Sequence, residues 1–127
     1  MCAVKGTGLK ILITGGSGFI GGYFHRDLTA LGHDLVNLDL IDPKGPQAEM
    51  AYVKGDIRDP KALDKAMEGV DMVVNLAAAH HDFGIAHDTY SSVNEHGSQM
   101  VCDAMDRSGI KNVIFYSTVS VYGDAPT

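Results

Sequence analysis

The chain has 127 residues with a formal net charge of −6, 45% of them hydrophobic and 20% charged, which is room for one domain at most with a real core. The acidic balance and the absence of a Lys/Arg cluster argue against nucleic acid as a partner. No apolar run approaches membrane-spanning length, the start Met1-Cys2-Ala3-Val4-Lys5-Gly6 lacks the apolar core of a signal peptide, and neither Cys2 nor Cys102 has a motif partner, so a cytoplasmic location is expected.

Leu9-Lys10-Ile11-Leu12-Ile13 reads as a buried strand, after which Ile20, Phe24, Leu28 and Leu31 recur at helical spacing. Between them lies Thr14-Gly15-Gly16-Ser17-Gly18-Phe19-Ile20-Gly21. A glycine triplet alone often only makes a turn. Set between a strand and an amphipathic helix, it has the context of a dinucleotide site. Gly15 is expected to make the tight turn, Gly18 to let the backbone approach a pyrophosphate, and Gly21 to let the helix pack on the strand. The helix N-terminus then offers N–H groups to the phosphates.

Asp34-Leu35-Val36-Asn37-Leu38-Asp39 reads as the second strand. Asp39 closes it about 20 residues beyond the glycines, where a carboxylate takes the adenosine ribose hydroxyls and repels a 2′-phosphate. Taken alone it could equally be a solvated strand end. No Arg follows directly and the nearest cation is Lys44, so NAD is favoured over NADP.

The segment Ile41 to Met50 is turn-rich, with no room for a full crossover helix. Ala51-Tyr52-Val53-Lys54 is a short strand ending at Gly55-Asp56, and Asp59-Pro60 is a helix start with Asp as N-cap and Pro at the first helical position. Leu63, Ala66 and Met67 form that helix's apolar face, which Gly69 ends. Asp71-Met72-Val73-Val74-Asn75-Leu76 is nearly all apolar, as a strand covered on both faces should be. A longer helix is expected from Thr89 to Arg107 with Val93, Gly97, Met100, Val101, Ala104 and Met105 on one face, followed by a fifth strand, Asn112 to Ser117. Strands alternating with helices mean an α/β fold. It is a Rossmann-type doubly wound parallel sheet of order 3-2-1-4-5, with the sequence ending after the fifth strand.

Five blocks in this order resemble the extended short-chain dehydrogenase/reductase family, especially its NAD-dependent nucleotide-sugar epimerases and dehydratases. They are Thr14 to Gly21; Asp39; Gly55-Asp56-Ile57-Arg58-Asp59; Asn75-Leu76-Ala77-Ala78-Ala79; and Tyr116-Ser117-Thr118-Val119-Ser120-Val121-Tyr122-Gly123. By the resemblance, Phe19 and Ile20 belong with Gly15, Gly18 and Gly21 to the cofactor site, the Asp56 carboxylate accepts from the adenine amino group, and Ile57 packs on the ring. A strand-end role for Asp56 fits the local chain as well. Leu76, Ala77, Ala78 and Ala79 sit where the strand order reverses, and small side chains there allow backbone approach to the nicotinamide half. Asn94 matches a family asparagine that ties its helix to the active-site floor, though a plain surface polar residue is an equal alternative. Thr118, four positions before Tyr122-Gly123, matches the family hydroxyl that hydrogen-bonds the reacting substrate oxygen, while Tyr122 is structural by resemblance.

The family's Tyr and Lys base pair, spaced four apart, does not occur in these residues. The 127 residues are therefore read as the N-terminal portion of an NAD(P)-binding Rossmann domain, without the substrate-binding portion and inactive alone. The intact protein is expected to be a homodimer acting on a nucleotide sugar. The rivals are a reductase of a steroid-like or flavonoid-like alcohol and a non-catalytic NAD(P)-sensing regulator resembling the NmrA type. His80, His81 and His87, with Asp82 and Asp88, lie in one loop, but no HExxH-type spacing fixes them, so a polar loop near substrate is preferred to a metal site. His25, His33 and His96 read as surface residues.

Thr118→Val removes the hydroxyl while keeping a β-branched side chain of the same shape. If the hydroxyl serves the reacting oxygen, kcat of the intact enzyme should fall about 10²-fold to 10³-fold with NADH affinity unchanged. Steady-state kinetics with NADH binding measured on the same sample check it; an unchanged kcat removes Thr118 from the chemistry.

Overall fold

The computed structural model describes residues 8–77 and 95–116. Its sheet has five parallel strands: β1 (Lys10–Thr14), β2 (Asp34–Asp39), β3 (Ala51–Lys54), β4 (Met72–Asn75) and β5 (Asn112–Phe115). They lie in the order β3-β2-β1-β4-β5, as the alternation of strands and helices implied. The connections carry α1 (Phe19–Ala30), a 3-10 turn (Gly45–Glu49), α2 (Pro60–Ala66) and α3 (Gly97–Ser108). The chain steps outward from β1 to β2 and β3, then crosses to β4 on the other side of β1. Thr14 stands level with both Leu38 of β2 and Asn75 of β4, so the crevice opens at these three strand ends.

Because side chains alternate across a strand, β1 feeds two cores. Leu12 points into the larger, with Val36, Leu38, Val73 and the apolar faces of α2 and α3. Ile11 and Ile13 point into the smaller, with Leu35, Met50 and Val74, against which Phe24 and Leu28 of α1 pack. The helix starts follow local chemistry. Pro60 opens α2, and the Asp59 carboxylate caps it by accepting from the Lys61 N–H at 3.1 Å. In α3 the buried residues are Gly97, Val101, Ala104 and Met105, the expected face; residues 89–94, where this helix was expected to start, lie outside the described residues.

Two expectations for α1 need correction. Leu31 does not complete the apolar face: the helix ends at Ala30, and Leu31 is the C-cap, 65% exposed. His25 is not a surface residue but 7% exposed. The 3-10 turn packs across this side of α1 and brings the Glu49 carboxylate to 3.9 Å from His25 Nε2. His33 is half-buried, its Nδ1 accepting from the Leu9 N–H at 2.9 Å, whereas His96 is exposed.

The close approach at Gly21 is to the glycine turn, not to the strand. A Cβ on Gly21 would stand 2.3 Å from the Gly16 carbonyl oxygen. Both groups are backbone and neither can rotate away. Gly21→Ala should therefore destabilise by about 3 kcal/mol, the upper end of ordinary overpacking. Urea unfolding measures it, and a loss below 1 kcal/mol, roughly the lower bound for such clashes, would show that α1 slides freely on the turn.

Candidate nucleotide-binding site

The site begins where β1 ends. Gly15 takes a left-handed conformation, φ 75, that costs a glycine little, and its N–H donates to the Leu38 carbonyl at 2.8 Å. A Cβ there would also meet the Ala77 backbone nitrogen at 2.9 Å, so the turn is pressed against the exit of β4. On that side the buried Thr14 hydroxyl donates to Asn75 Oδ1 and accepts from the Ala77 N–H at 3.2 Å. The Leu76 N–H donates to the Thr14 carbonyl at 3.0 Å, which fixes half-buried Leu76 and Ala77 at the crevice.

Ser17 ties the turn to β2. Its N–H donates to Asp39 Oδ2 at 3.0 Å, its Oγ donates to the Ile41 carbonyl at 2.6 Å, and the same Oγ accepts from Asn37 Nδ2 at 2.9 Å. Asn37 is fully buried in the middle of β2, with Oδ1 against Gly16 and no hydrogen-bond partner. The other Asp39 oxygen accepts from the Ile41 N–H at 3.0 Å. Among the described residues Asp39 is thus held by two backbone N–H groups and no cation, and the residues after it, Leu40 and Ile41, are exposed and apolar.

Gly18 is the N-cap of α1, with no side-chain cap. Among the described residues, the N–H groups of Phe19, Ile20 and Gly21 have no hydrogen-bond partner within the chain. These are the donors a helix start leaves open, and they make an anion site. Gly18 has no packing reason to be glycine: a Cβ there would meet nothing nearer than the Gly15 carbonyl at 3.5 Å. Phe19 is 78% exposed, its ring edge-to-face with Tyr23 at 5.2 Å, and Ile20 is half-buried.

The two residues after β3 behave differently. Ile57 is 4% exposed and packed in the larger core, so the ring contact expected of it has little side-chain surface to act through. Asp56 pairs with Arg58, whose Nε donates to Oδ1 at 3.0 Å and whose backbone N–H donates to the same oxygen at 2.8 Å. The Arg58 side chain, by hydrogen bonding first, holds the Asp56 carboxyl below its ordinary range. An adenine amino group would have to share this carboxylate with the guanidinium.

Ala78, Ala79, Asn94 and Thr118 lie outside the described residues, as does the histidine-bearing loop. Among the described residues no three His, Cys, Asp or Glu side chains gather as metal ligands, and no helix is long and apolar enough to cross a membrane. Sequence reasoning missed Asn37, Ser17 and Gln47 of the 3-10 turn, whose Nε2 donates to the Gly16 carbonyl at 2.6 Å and the Gly18 carbonyl at 2.9 Å. Asn37 alone left a signal, a polar residue inside an apolar strand.

A parallel sheet with a bare helix start and a strand-end carboxylate at its switch point defines a Rossmann-type nucleotide-binding fold. Residues 11–127 match the NAD dependent epimerase/dehydratase family, and the chain belongs to it. It is 40% identical over 114 residues to an Escherichia coli O157:H7 N-acetyl-alpha-D-glucosaminyl-diphospho-ditrans,octacis-undecaprenol 4-epimerase, covering 90% of this chain and 34% of that protein. A 2-alkyl-3-oxoalkanoate reductase of Stenotrophomonas maltophilia is 33% identical, over 89% of this chain and 34% of the relative. Among solved structures, the UDP-glucose 4-epimerase of Brucella ovis in complex with NAD superposes with a TM-score of 0.82 at 30% identity, over 94% of this chain and 38% of that one. The chain thus spans little more than a third of these proteins' lengths.

The Asp56–Arg58 pair has a pH signature. A carboxyl depressed in the folded state stabilises fully above its unfolded pKa, about 3.9, and loses that contribution as pH falls through the lower folded value. Asp56→Asn should cost about 1 kcal/mol at pH 7, a modest figure because both side chains are partly exposed. The gap between the two proteins' urea-unfolding free energies should narrow as pH is taken below about 4. A gap independent of pH would show that the pair adds nothing as charges.

Proposed function

We propose that the protein binds NAD along the carboxyl ends of its strands. The intact protein would use it for transient hydride transfer at a carbon of a nucleotide sugar, in epimerisation or dehydration. The observation that carries the cofactor reading is the bare start of α1: three open N–H groups beside a glycine whose missing Cβ leaves space, with Asp39 tethered next to them. The residues fit the cofactor's adenosine diphosphate end. Phe19, Ile20 and Gly21 N–H groups would face the diphosphate, Asp39 the ribose hydroxyls, and the Asp56 region the adenine. Bound there, NAD would supply a hydride acceptor next to the crevice between β1 and β4.

The nucleotide-sugar reading is supported by the UDP-glucose 4-epimerase among the neighbours. The E. coli relative's name describes a sugar diphosphate on a polyprenol, and the two share a sugar joined to a diphosphate. Leu76, Ala77, Ala78 and Ala79 would line the nicotinamide side, Asn94 would tie its helix to the site floor, and Thr118 would hydrogen-bond the reacting oxygen. The S. maltophilia reductase keeps a second reading open, reduction of a ketone that is not a sugar. Turnover of a UDP-hexose by the intact protein, set against turnover of a 3-oxo acid with NADH, separates them.

Asp39 should make NADH bind more tightly than NADPH, because its carboxylate stands where a 2′-phosphate would go, with Leu40 and Ile41 beside it instead of a cation. Fluorescence titrations with the two cofactors test this. Equal or tighter NADPH binding would take Asp39 out of the ribose site.

A further inference from the structure

The 3-10 turn Gly45–Glu49 is a connection with no catalytic motif, yet one of its side chains reaches across to the glycine turn. Gln47 Nε2 carries two hydrogens, and they go to the Gly16 and Gly18 carbonyls at 2.6 and 2.9 Å. The side chain lies along the first turn of α1, where a Cβ on Gly22 would come within 3.3 Å of Gln47 Oε1. Gly22 therefore leaves the amide room to lie there.

A peptide unit is planar and trans, so its C=O and N–H point in opposite directions. The Gly18 carbonyl shares its peptide unit with the Phe19 N–H. Holding that carbonyl toward Gln47 therefore aims the Phe19 N–H the other way, toward the open N-terminus. By the same geometry, holding the Gly16 carbonyl turns the Ser17 N–H toward Asp39, to which it donates at 3.0 Å. A hydrogen bond accepted at the carbonyl end also polarises the N–H at the other end of the unit.

We infer that Gln47 is a positioning residue for the diphosphate: it touches no ligand itself, and orients and polarises the N–H groups that do. This rests on the nucleotide reading above. The Ser17 N–H and Asp39 have a further tether, since Asp39 also accepts from the Ile41 N–H at 3.0 Å. The Phe19 peptide unit is held at its Gly18 carbonyl by the Gly22 N–H at 3.2 Å and by Gln47, its one side-chain tether among the described residues. Loss of Gln47 should therefore act on phosphate binding and spare the ribose.

The test compares Gln47→Met, which keeps length and loses the donor, and Gln47→Glu, which sets a carboxylate against two carbonyls, with the unaltered protein. Calorimetric titrations use ADP, NADH and adenosine. In Gln47→Met, Kd for ADP and NADH should rise about tenfold, the effect of one hydrogen bond to a charged group, and adenosine Kd should move less than about twofold. Gln47→Glu should lose more for ADP than Gln47→Met does. Unchanged ADP affinity in both variants, or equal losses for ADP and adenosine, would overturn the positioning role. If the unaltered protein bound neither ADP nor NADH, the nucleotide reading itself would fall, an outcome visible before any variant is compared.

Discussion

Three backbone N–H groups at the start of α1 are left without partners among the described residues, and the neighbouring residues keep them so. An N-cap side chain would ordinarily satisfy one of them and stabilise a helix by about 1 kcal/mol. Gly18 holds the cap position instead. The hydroxyl one residue earlier, on Ser17, is turned to the Ile41 carbonyl. Nor is there an acidic side chain in the first turn of α1 to occupy the positive end of its dipole. The missing cap leaves the terminus ready for an anion from outside the chain.

The carboxylates near the crevice divide the work. Among the described residues Asp39 is held by two amide donors and faces no cation, so its charge is placed without being neutralised. Asp56 is met by the guanidinium of Arg58, which draws its carboxyl below the ordinary range. In the function proposed above, repulsion of a second phosphate on the ribose would fall to Asp39, while Asp56 would contribute a neutralised, shaped edge. Its neighbour Ile57 anchors that edge by being spent in the core. Lys54, at the end of β3, pairs with Asp42 at 3.1 Å.

Strand positions and their order were readable because Ile11, Leu12, Ile13, Val73 and Val74 are apolar on both faces, a pattern a doubly covered strand alone requires. Asp59-Pro60 carried the start of α2 by purely local rules. What failed were residues whose burial depends on a distant segment. His25 looks polar and exposed until the turn at Gly45–Glu49 lies over it. Gln47 is silent in the sequence because its two partners are 31 and 29 residues away. Leu31 kept the helical spacing but fell one residue past the helix end. The glycine turn itself was readable because a left-handed residue such as Gly15, at φ 75, favours glycine. For Ala78, Ala79, Asn94 and Thr118 the family resemblance is the support.

Burial is uneven across the sheet, and this bears on how the site is held. The face covered by α2 and α3 has the deeper core, whereas α1 buries fully only Gly21 and His25 and leans on Phe24 and Leu28 at its edge. The helix that presents the anion site is therefore anchored less by apolar area than by polar and steric contacts. Gly21 lies against the Gly16 carbonyl, Gln47 spans two carbonyls, and Ser17 is tied to β2. Such contacts fix direction more sharply than apolar burial does, since hydrogen bonds weaken steeply when misaligned and the hydrophobic effect has no preferred angle. If the site recognises a diphosphate as proposed, its N–H groups need direction first. The smaller core under α1 is compatible with that need, because the 3-10 turn and the glycine turn supply the directional contacts that apolar burial does not.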